Sequence, residues 1–269
     1  MKKMTYNTSN PLRVFTAFSG YDSQCLALER LKSTAPPEFD YELVGWSEID
    51  KYAIQAHNLL FPQWADRNYG DISKIDWAKV PDFDLFTFSS PCQDFSIAGL
   101  QRGGEEGSGT RSSLLWECRK AIIAKRPRYL MLENVKALVS KKFKPLFDQW
   151  LAELESYGYV NYWQVLNAKD YGVPQNRERV FCISILRDFD RGYYVFPPKE
   201  PLTKKLIDVL DDEVDERYYL SEKCLETFQR ITADRSHNHN FTPTTGGGEA
   251  YTVRCKAGTR VDDNYVIDD

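Results

Sequence analysis

Cys92 is the side chain in this sequence best placed for covalent chemistry. It follows Ser89-Ser90-Pro91 at the end of the apolar run Asp84-Leu85-Phe86-Thr87-Phe88, which reads as a buried strand. Pro91 fixes its own φ and biases Ser90 toward extended geometry, so the chain leaves the strand in a defined direction. Ligands and catalytic groups collect on the loops at the carboxyl ends of open α/β sheets. That placement, with Ser90, Gln93 and Asp94 beside it, marks Cys92 as a candidate nucleophile rather than a buried structural thiol. The strand Tyr129-Leu130-Met131-Leu132 delivers Glu133 and Asn134 to the same edge.

A second group of residues has the makings of a cofactor site. The first strand runs into Phe18-Ser19-Gly20-Tyr21-Asp22-Ser23, a turn with one glycine instead of the GxGxxG that cradles a pyrophosphate. The turn suits a nucleoside ligand without phosphates, such as S-adenosylmethionine. Glu48 ends the second strand and can accept hydrogen bonds from both ribose hydroxyls. Asp71, at the end of a short third strand, can accept one from an adenine amino group. Acidic residues at strand ends also cap helices, so the pair carries weight through its register with the glycine turn.

Strands over 12–18, 41–48 and 84–88 and around 129–132, 160–168 and 179–186, with the short one ending near Asp71, position these residues. Helices lie between them. One follows Asp22 as N-cap and buries Cys25, Leu28 and Leu31. Another opens at Asp50 and runs to about Leu60. Two more span about 112–125 and 145–157. Strands alternating with helices of this length predict an α/β fold with a doubly wound, mostly parallel sheet, Rossmann-like. The regularity fades beyond Leu186. A helix is expected near 221–232, and loop with short strands over 242–269. The glycine-rich stretch 99–111 reads as a mobile loop beside the nucleophile.

The 269 residues, 42% hydrophobic and 28% charged, suffice for one large domain, or one with a small appendage. No apolar run reaches membrane-spanning length, and Met1-Lys2-Lys3 has no apolar stretch behind it, so no membrane or secretory role is expected. The six cysteines are scattered without a CxxC pair, which argues against zinc and disulfides and for a reducing cytoplasm. No metal is expected; His237 and His239 lack a third ligand. The net charge of −4 leans against nucleic acid, yet Lys141, Lys142 and Lys144 could supply a local basic face. A cysteine hydrolase would need a histidine base, and none of the three histidines sits near a strand's carboxyl end.

In order along the chain, these motifs closely resemble the DNA cytosine-5 methyltransferases over roughly 12–186. They are Phe18-Ser19-Gly20-Tyr21-Asp22-Ser23, Ser47-Glu48-Ile49-Asp50, Gly70-Asp71-Ile72, Pro91-Cys92-Gln93-Asp94-Phe95-Ser96, Arg111-Ser112-Ser113-Leu114-Leu115, Glu133-Asn134-Val135 and Tyr171-Gly172-Val173-Pro174-Gln175-Asn176-Arg177-Glu178-Arg179. The resemblance implies methyl transfer from S-adenosylmethionine to carbon 5 of a cytosine flipped out of double-stranded DNA. It makes Cys92 the nucleophile at carbon 6 and Glu133 the acid facing ring nitrogen N3. Arg177 and Arg179, two apart on a strand and so on one side, bind the base's carbonyl oxygen and fix Glu133 or a phosphate. Phe18, Gly20, Glu48, Ile49, Asp71, Ile72, Pro91 and Leu114 would line the cofactor site. Gln93, Ser96 and Asn134 would meet the substrate, with 99–111 closing over the extruded base.

Asp22 and Ser23 stand where the family usually has two glycines, and Ile49 where it often has an aromatic. The family's C-terminal Pro-Leu-Thr-Pro-like and Gly-Asn-Ser-type motifs are not found. The expectation is therefore a catalytic domain over 1–186 and the start of a target-recognition region over 187–269, with the missing motifs on a second chain or removed. An RNA-methylating relative is the alternative, disfavoured because no cysteine is followed by phenylalanine. A binding fragment that needs a second chain for activity is another.

Overall fold

The computed structural model describes residues 5–34, 39–91, 111–234, 240–253 and 260–267, with no side-chain description for 111–113. Cys92, Gln93, Ser96, His237, His239, Cys255 and nearly all of the 99–111 loop lie outside the described residues.

Eight strands and five α-helices are described: β1 Leu12–Ala17, α1 Ser23–Thr34, β2 Tyr41–Ser47, α2 Lys51–Leu60, β3 Leu85–Phe88, α3 Cys118–Lys125, β4 Tyr129–Val135, α4 Lys144–Ser156, β5 Tyr159–Asn167, β6 Gln175–Asn176, β7 Glu178–Leu186, α5 Glu222–Ala233 and β8 Ala250–Tyr251. Six strands form one sheet in the order β2-β1-β3-β4-β7-β5. The pairs β1–β2, β1–β3 and β3–β4 are parallel, and β4–β7 is antiparallel. The expected mostly parallel α/β sheet is thus present.

Two apolar clusters cover its two faces. One joins Phe15, Phe86, Phe88, Leu130 and Leu132 to Cys118 and Ile122 of α3 and to Phe147, Trp150 and Leu154 of α4. The other joins Val14, Leu43 and Trp46 to Cys25 of α1, with Ile54 of α2 packed against it. Helices on both faces are what a doubly wound sheet requires.

By internal packing the chain divides into two compact units, residues 1–165 with 179–196, and residues 166–178 with 197–269. Helices α1–α4 and the sheet, apart from the last two residues of β5 and the first of β7, belong to the first. The second contains α5, the parallel pair β6–β8 and an aromatic cluster of Phe228, Phe241 and Tyr265, whose rings lie 5.4–5.5 Å apart.

Three expectations change. No strand ends at Asp71. Asp71 accepts the Ser73 amide at 3.0 Å and Asp76 the Ala78 amide at 3.2 Å, so each caps a short 3-10 turn, Ile72–Lys74 and Trp77–Lys79. Local side-chain bonds of this kind offer the backbone an alternative to a ladder. Pairing there is limited to one bridge, Trp46 with Asn68. The helix expected from 112 begins as 3-10 turns over Arg111–Glu117 and becomes α-helical at Cys118. In α1, Cys25 is buried as expected but Leu31 is 47% exposed.

Strand β2 carries an irregularity midway along its pairing with β1. Val14 lies opposite Leu43 but Phe15 opposite Gly45, so Val44 is an extra residue. The bulge turns Trp46 onto the same face as Leu43. A Cβ on Gly45 would come within 2.7 Å of both the Phe15 and Tyr69 rings, closer than carbon atoms pack. Gly45→Ala is therefore expected to destabilise the first unit by about 1–3 kcal/mol. Thermal unfolding followed by circular dichroism measures this, and an unchanged midpoint would contradict the packing described.

Candidate active site

The sheet's order reverses at β1, whose neighbours are β2 on one side and β3 on the other. Strands β1 and β3 run parallel with Ala17 opposite Phe88. The turn after β1 and the loop that leads to Cys92 therefore emerge side by side, at the kind of switch point where α/β sheets bind ligands. The Ser89 amide still reaches back to the Ala17 carbonyl at 3.4 Å. Gln24, in the first turn of α1, donates to Ser89 Oγ at 3.1 Å, tying the helix after the glycine turn to the strand end before the cysteine.

In the turn after β1, Phe18, Gly20 and Asp22 all have positive φ, 55°, 59° and 65°. Space around the Gly20 α-carbon is open, with no atom within 4 Å of where a Cβ would stand. Glu48 organises the turn from the neighbouring strand. Its Oε2 accepts the Gly20 amide at 2.9 Å, and its Oε1 accepts the amides of Ile49 at 2.7 Å and Asp50 at 2.9 Å. A carboxylate has about four acceptor positions, so three amides leave capacity for a further donor such as a ribose hydroxyl. Ile49, next to it, is 72% exposed and offers an open apolar surface. One acidic acceptor, an uncovered aliphatic side chain and a single-glycine turn fit a nucleoside without phosphates. S-adenosylmethionine is such a ligand.

The other expected cofactor residues divide. Asp71 accepts from Ser73 Oγ at 2.8 Å as well as from its amide. The Ser73 hydroxyl is the main cause holding its carboxyl below the usual range, followed by the Ser73 amide. It is ionised and half-buried, with its cap already formed. Ile72 is only 3% exposed and belongs to the core, so its side chain is not open to a ligand. Phe18 packs against the same core. Leu114 is half-buried in the 3-10 turn, and Pro91 is the last described residue before the cysteine.

At the next strand end, Glu133 and Arg179 meet. Strands β4 and β7 are antiparallel with Glu133 opposite Phe181 and Val135 opposite Arg179. Glu133 and Arg179 are thus diagonal neighbours on one face, within reach of long side chains. Arg179 Nε lies 3.1 Å from Glu133 Oε1, both side chains being largely covered. Arg177 does not share that strand, which begins at Glu178. It sits between β6 and β7 in the second unit, its amide donating to Asn167 Oδ1 at 3.0 Å and its carbonyl accepting the Ala168 amide at 3.0 Å. The expectation that Arg177 and Arg179 share one strand is therefore not met, since Arg177 lies one residue before that strand begins.

Asn134 is buried and acts on the cysteine's strand. Its Nδ2 donates to both the carbonyl and Oγ of Ser90, at 3.2 Å each, while its Oδ1 accepts the Val135 amide at 2.9 Å. Asn68 does comparable work at the cofactor turn. Its Oδ1 accepts the amides of Glu48 and Gly70, and its Nδ2 donates to the Glu48 carbonyl at 3.1 Å. Sequence reasoning missed Asn68, although Asn68-Tyr69-Gly70-Asp71 has the composition of a side-chain-supported turn.

Among the described cysteines, Cys25, Cys118 and Cys182 are buried. Burial pushes the thiols of Cys25 and Cys118 well up and that of Cys182 to about 12. Thiols this hard to ionise are poor nucleophiles. Brief iodoacetamide treatment at neutral pH should leave these three unlabelled until the protein is unfolded, as peptide mapping would show. Separately, Asn134→Ala strands Ser90 and should cost about 1–3 kcal/mol, read as a lower melting midpoint. An unchanged midpoint would mean that Asn134 does not hold the strand end.

A family model described as C-5 cytosine-specific DNA methylase matches residues 12–262, well beyond the motif set that ends near 186. The type II methyltransferase M2.ScrFI of Lactococcus lactis subsp. cremoris is 45% identical over 260 residues, 78% of this chain and 70% of that protein. The orphan methyltransferase M.Rho11sI of Bacillus phage rho11s is 32% identical, over 95% of this chain and 56% of its own length. The chain thus spans little more than half of that second relative. In fold, the S. pombe Dnmt2 methyltransferase superposes with a TM-score of 0.61 at 19% identity, covering 88% of this chain and 68% of that one. A Dnmt2 variant from Spodoptera frugiperda gives 0.67 at 16% identity, covering 94% and 72%.

Proposed function

The chain belongs to the C-5 cytosine-specific DNA methylase family, and we propose that it transfers a methyl group from S-adenosylmethionine to carbon 5 of a cytosine in double-stranded DNA. The observation that carries this reading is the convergence at the β1/β3 switch point. The Glu48-braced turn and the strand end leading to Cys92 leave adjacent strands, and the Glu133–Arg179 pair closes the next strand end.

The chemistry asks three things of the protein. Carbon 5 of cytosine is a weak nucleophile, so it must be activated before it can be methylated. Cys92 does this as a thiolate, its sulfur bonding to carbon 6 while the ring's π electrons move toward carbon 5 and N3. Glu133, held by Arg179, shares a proton with N3 as negative charge develops there. Arg179 also keeps the carboxyl group in one orientation, which a lone flexible glutamate would lack. S-adenosylmethionine, when bound at the β1 turn, supplies an electrophilic methyl group. Loss of the carbon 5 proton then restores the double bond and expels the Cys92 thiolate. A base stacked in a duplex is out of reach of Cys92, so the cytosine is flipped out at a cost of a few kcal/mol.

The substrate analogue 5-fluorocytosine has no proton on carbon 5 to lose, so the covalent adduct should persist. Incubation of the chain with S-adenosylmethionine and a duplex carrying that base is expected to give a denaturation-resistant complex, absent with Cys92→Ala. No adduct, or one that survives Cys92→Ala, would overturn the proposal. An adduct with tRNA and none with duplex DNA would move the substrate to RNA.

A further inference from the structure

Behind the cofactor turn lies a buried carboxylate that the proposed reaction does not use. Asp22 is fully buried although its neighbour Tyr21 is exposed, and its φ of 65° lies in the left-handed region that glycine adopts most readily. Its Oδ2 accepts the Thr16 hydroxyl at 2.8 Å, and its Oδ1 accepts the Cys25 amide at 3.1 Å, so it fastens β1 to the start of α1. Ser19 joins the same polar line. Its Oγ lies 2.9 Å from Thr16 Oγ1, and its amide donates to the Ser47 carbonyl at 3.2 Å.

His57 of α2 completes the arrangement. It is also fully buried, and its ring stacks on Trp46 with centroids 3.7 Å apart. Neither ring nitrogen has a hydrogen-bond partner, and Nε2 stands 3.6 Å from Asp22 Oδ2. That is ion-pair range when the imidazole carries a proton. A buried carboxylate needs partners to stay in a folded interior, and here the hydrogen bonds come from β1 and α1, with the His57 ring of α2 standing close by.

We infer that Asp22 is a positioning residue for the cofactor, holding the Phe18–Asp22 turn in its binding shape through Thr16 and the α1 amide with His57 behind it. This rests on the reading that the turn binds S-adenosylmethionine. Two roles for Asp22 are separable, because glycine suits its backbone angle. If the angle alone matters, Asp22→Gly keeps the turn and binds as well as the natural protein. If the carboxylate holds the turn, glycine removes the fastening and the turn relaxes.

The test is calorimetric binding of S-adenosylmethionine to the natural chain, Asp22→Gly, Asp22→Asn, His57→Phe and the Asp22→Gly/His57→Phe double variant, with melting curves to confirm folding. Asp22→Gly is expected to weaken binding by about tenfold, the loss of hydrogen bonds to a charged group, and to raise KM for the cofactor with much less effect on kcat. Asparagine tolerates the left-handed angle and can still accept the Cys25 amide, so Asp22→Asn should recover most of the affinity. His57→Phe keeps the stacking on Trp46 and should weaken binding in the natural background but add nothing once Asp22 is glycine. Folded Asp22→Gly that binds as tightly as the natural chain overturns this inference and leaves the proposed activity standing. A natural chain that binds no S-adenosylmethionine removes the cofactor reading itself.

Discussion

The turn after β1 holds three left-handed residues in five positions, two of which are not glycine. Such a backbone does not stand unaided, since L-residues in this region are disfavoured by roughly 1–2 kcal/mol each. It persists because side chains from its surroundings take up its polar groups. Glu48 holds the Gly20 amide from the exposed side, and Asp22 turns inward to Thr16 and the start of α1. Beside Gly20 the space stays open, with nothing within 4 Å of where a Cβ would stand. Local strain of this kind survives where the surrounding structure over-determines it, and it gathers at ligand sites.

From that turn the rest of the proposed site is placed by register. Parallel pairing of β1 with β3 brings Ser89 and Ser90 beside it, and parallel pairing of β3 with β4 brings Glu133 and Asn134 one strand further. The antiparallel return of β7 is what allows Arg179, at the start of its strand, to meet Glu133 near the end of β4. A parallel β7 would have carried its first residues to the opposite edge of the sheet. Asn134, Gln24 and Asn68 then link these strand ends through hydrogen bonds that touch no reacting atom. The site's precision lies as much in these links as in the groups expected to do chemistry.

Much of this was legible in the sequence because it depends on local pattern. Apolar runs gave the strands that form the sheet, Asp22 and Asp50 gave helix starts, and Glu133 lay at a strand end as its position implied. What failed depended on competition between local and distant partners. Asp71 looked like a strand terminus, but its side chain bonds to Ser73 and caps a turn. Arg177 looked like a strand neighbour of Arg179, but the strand starts one residue too late. The Val44 bulge, which sends Trp46 onto the face where it stacks on His57, has no signal beyond Gly45 in an apolar run. The Asp22–His57 approach joins residues 35 positions apart and could come only from the folded chain.

If one ligand-binding centre lies where β1 and β3 diverge, hydrogen–deuterium exchange with and without S-adenosylmethionine tests it most directly. Peptides covering 17–26, 45–53 and 85–91 should gain protection together on adding the cofactor, while those covering α4 and α5 should stay unchanged. Protection confined to the second unit, or absent from the turn after β1, would contradict a cofactor site at that divergence.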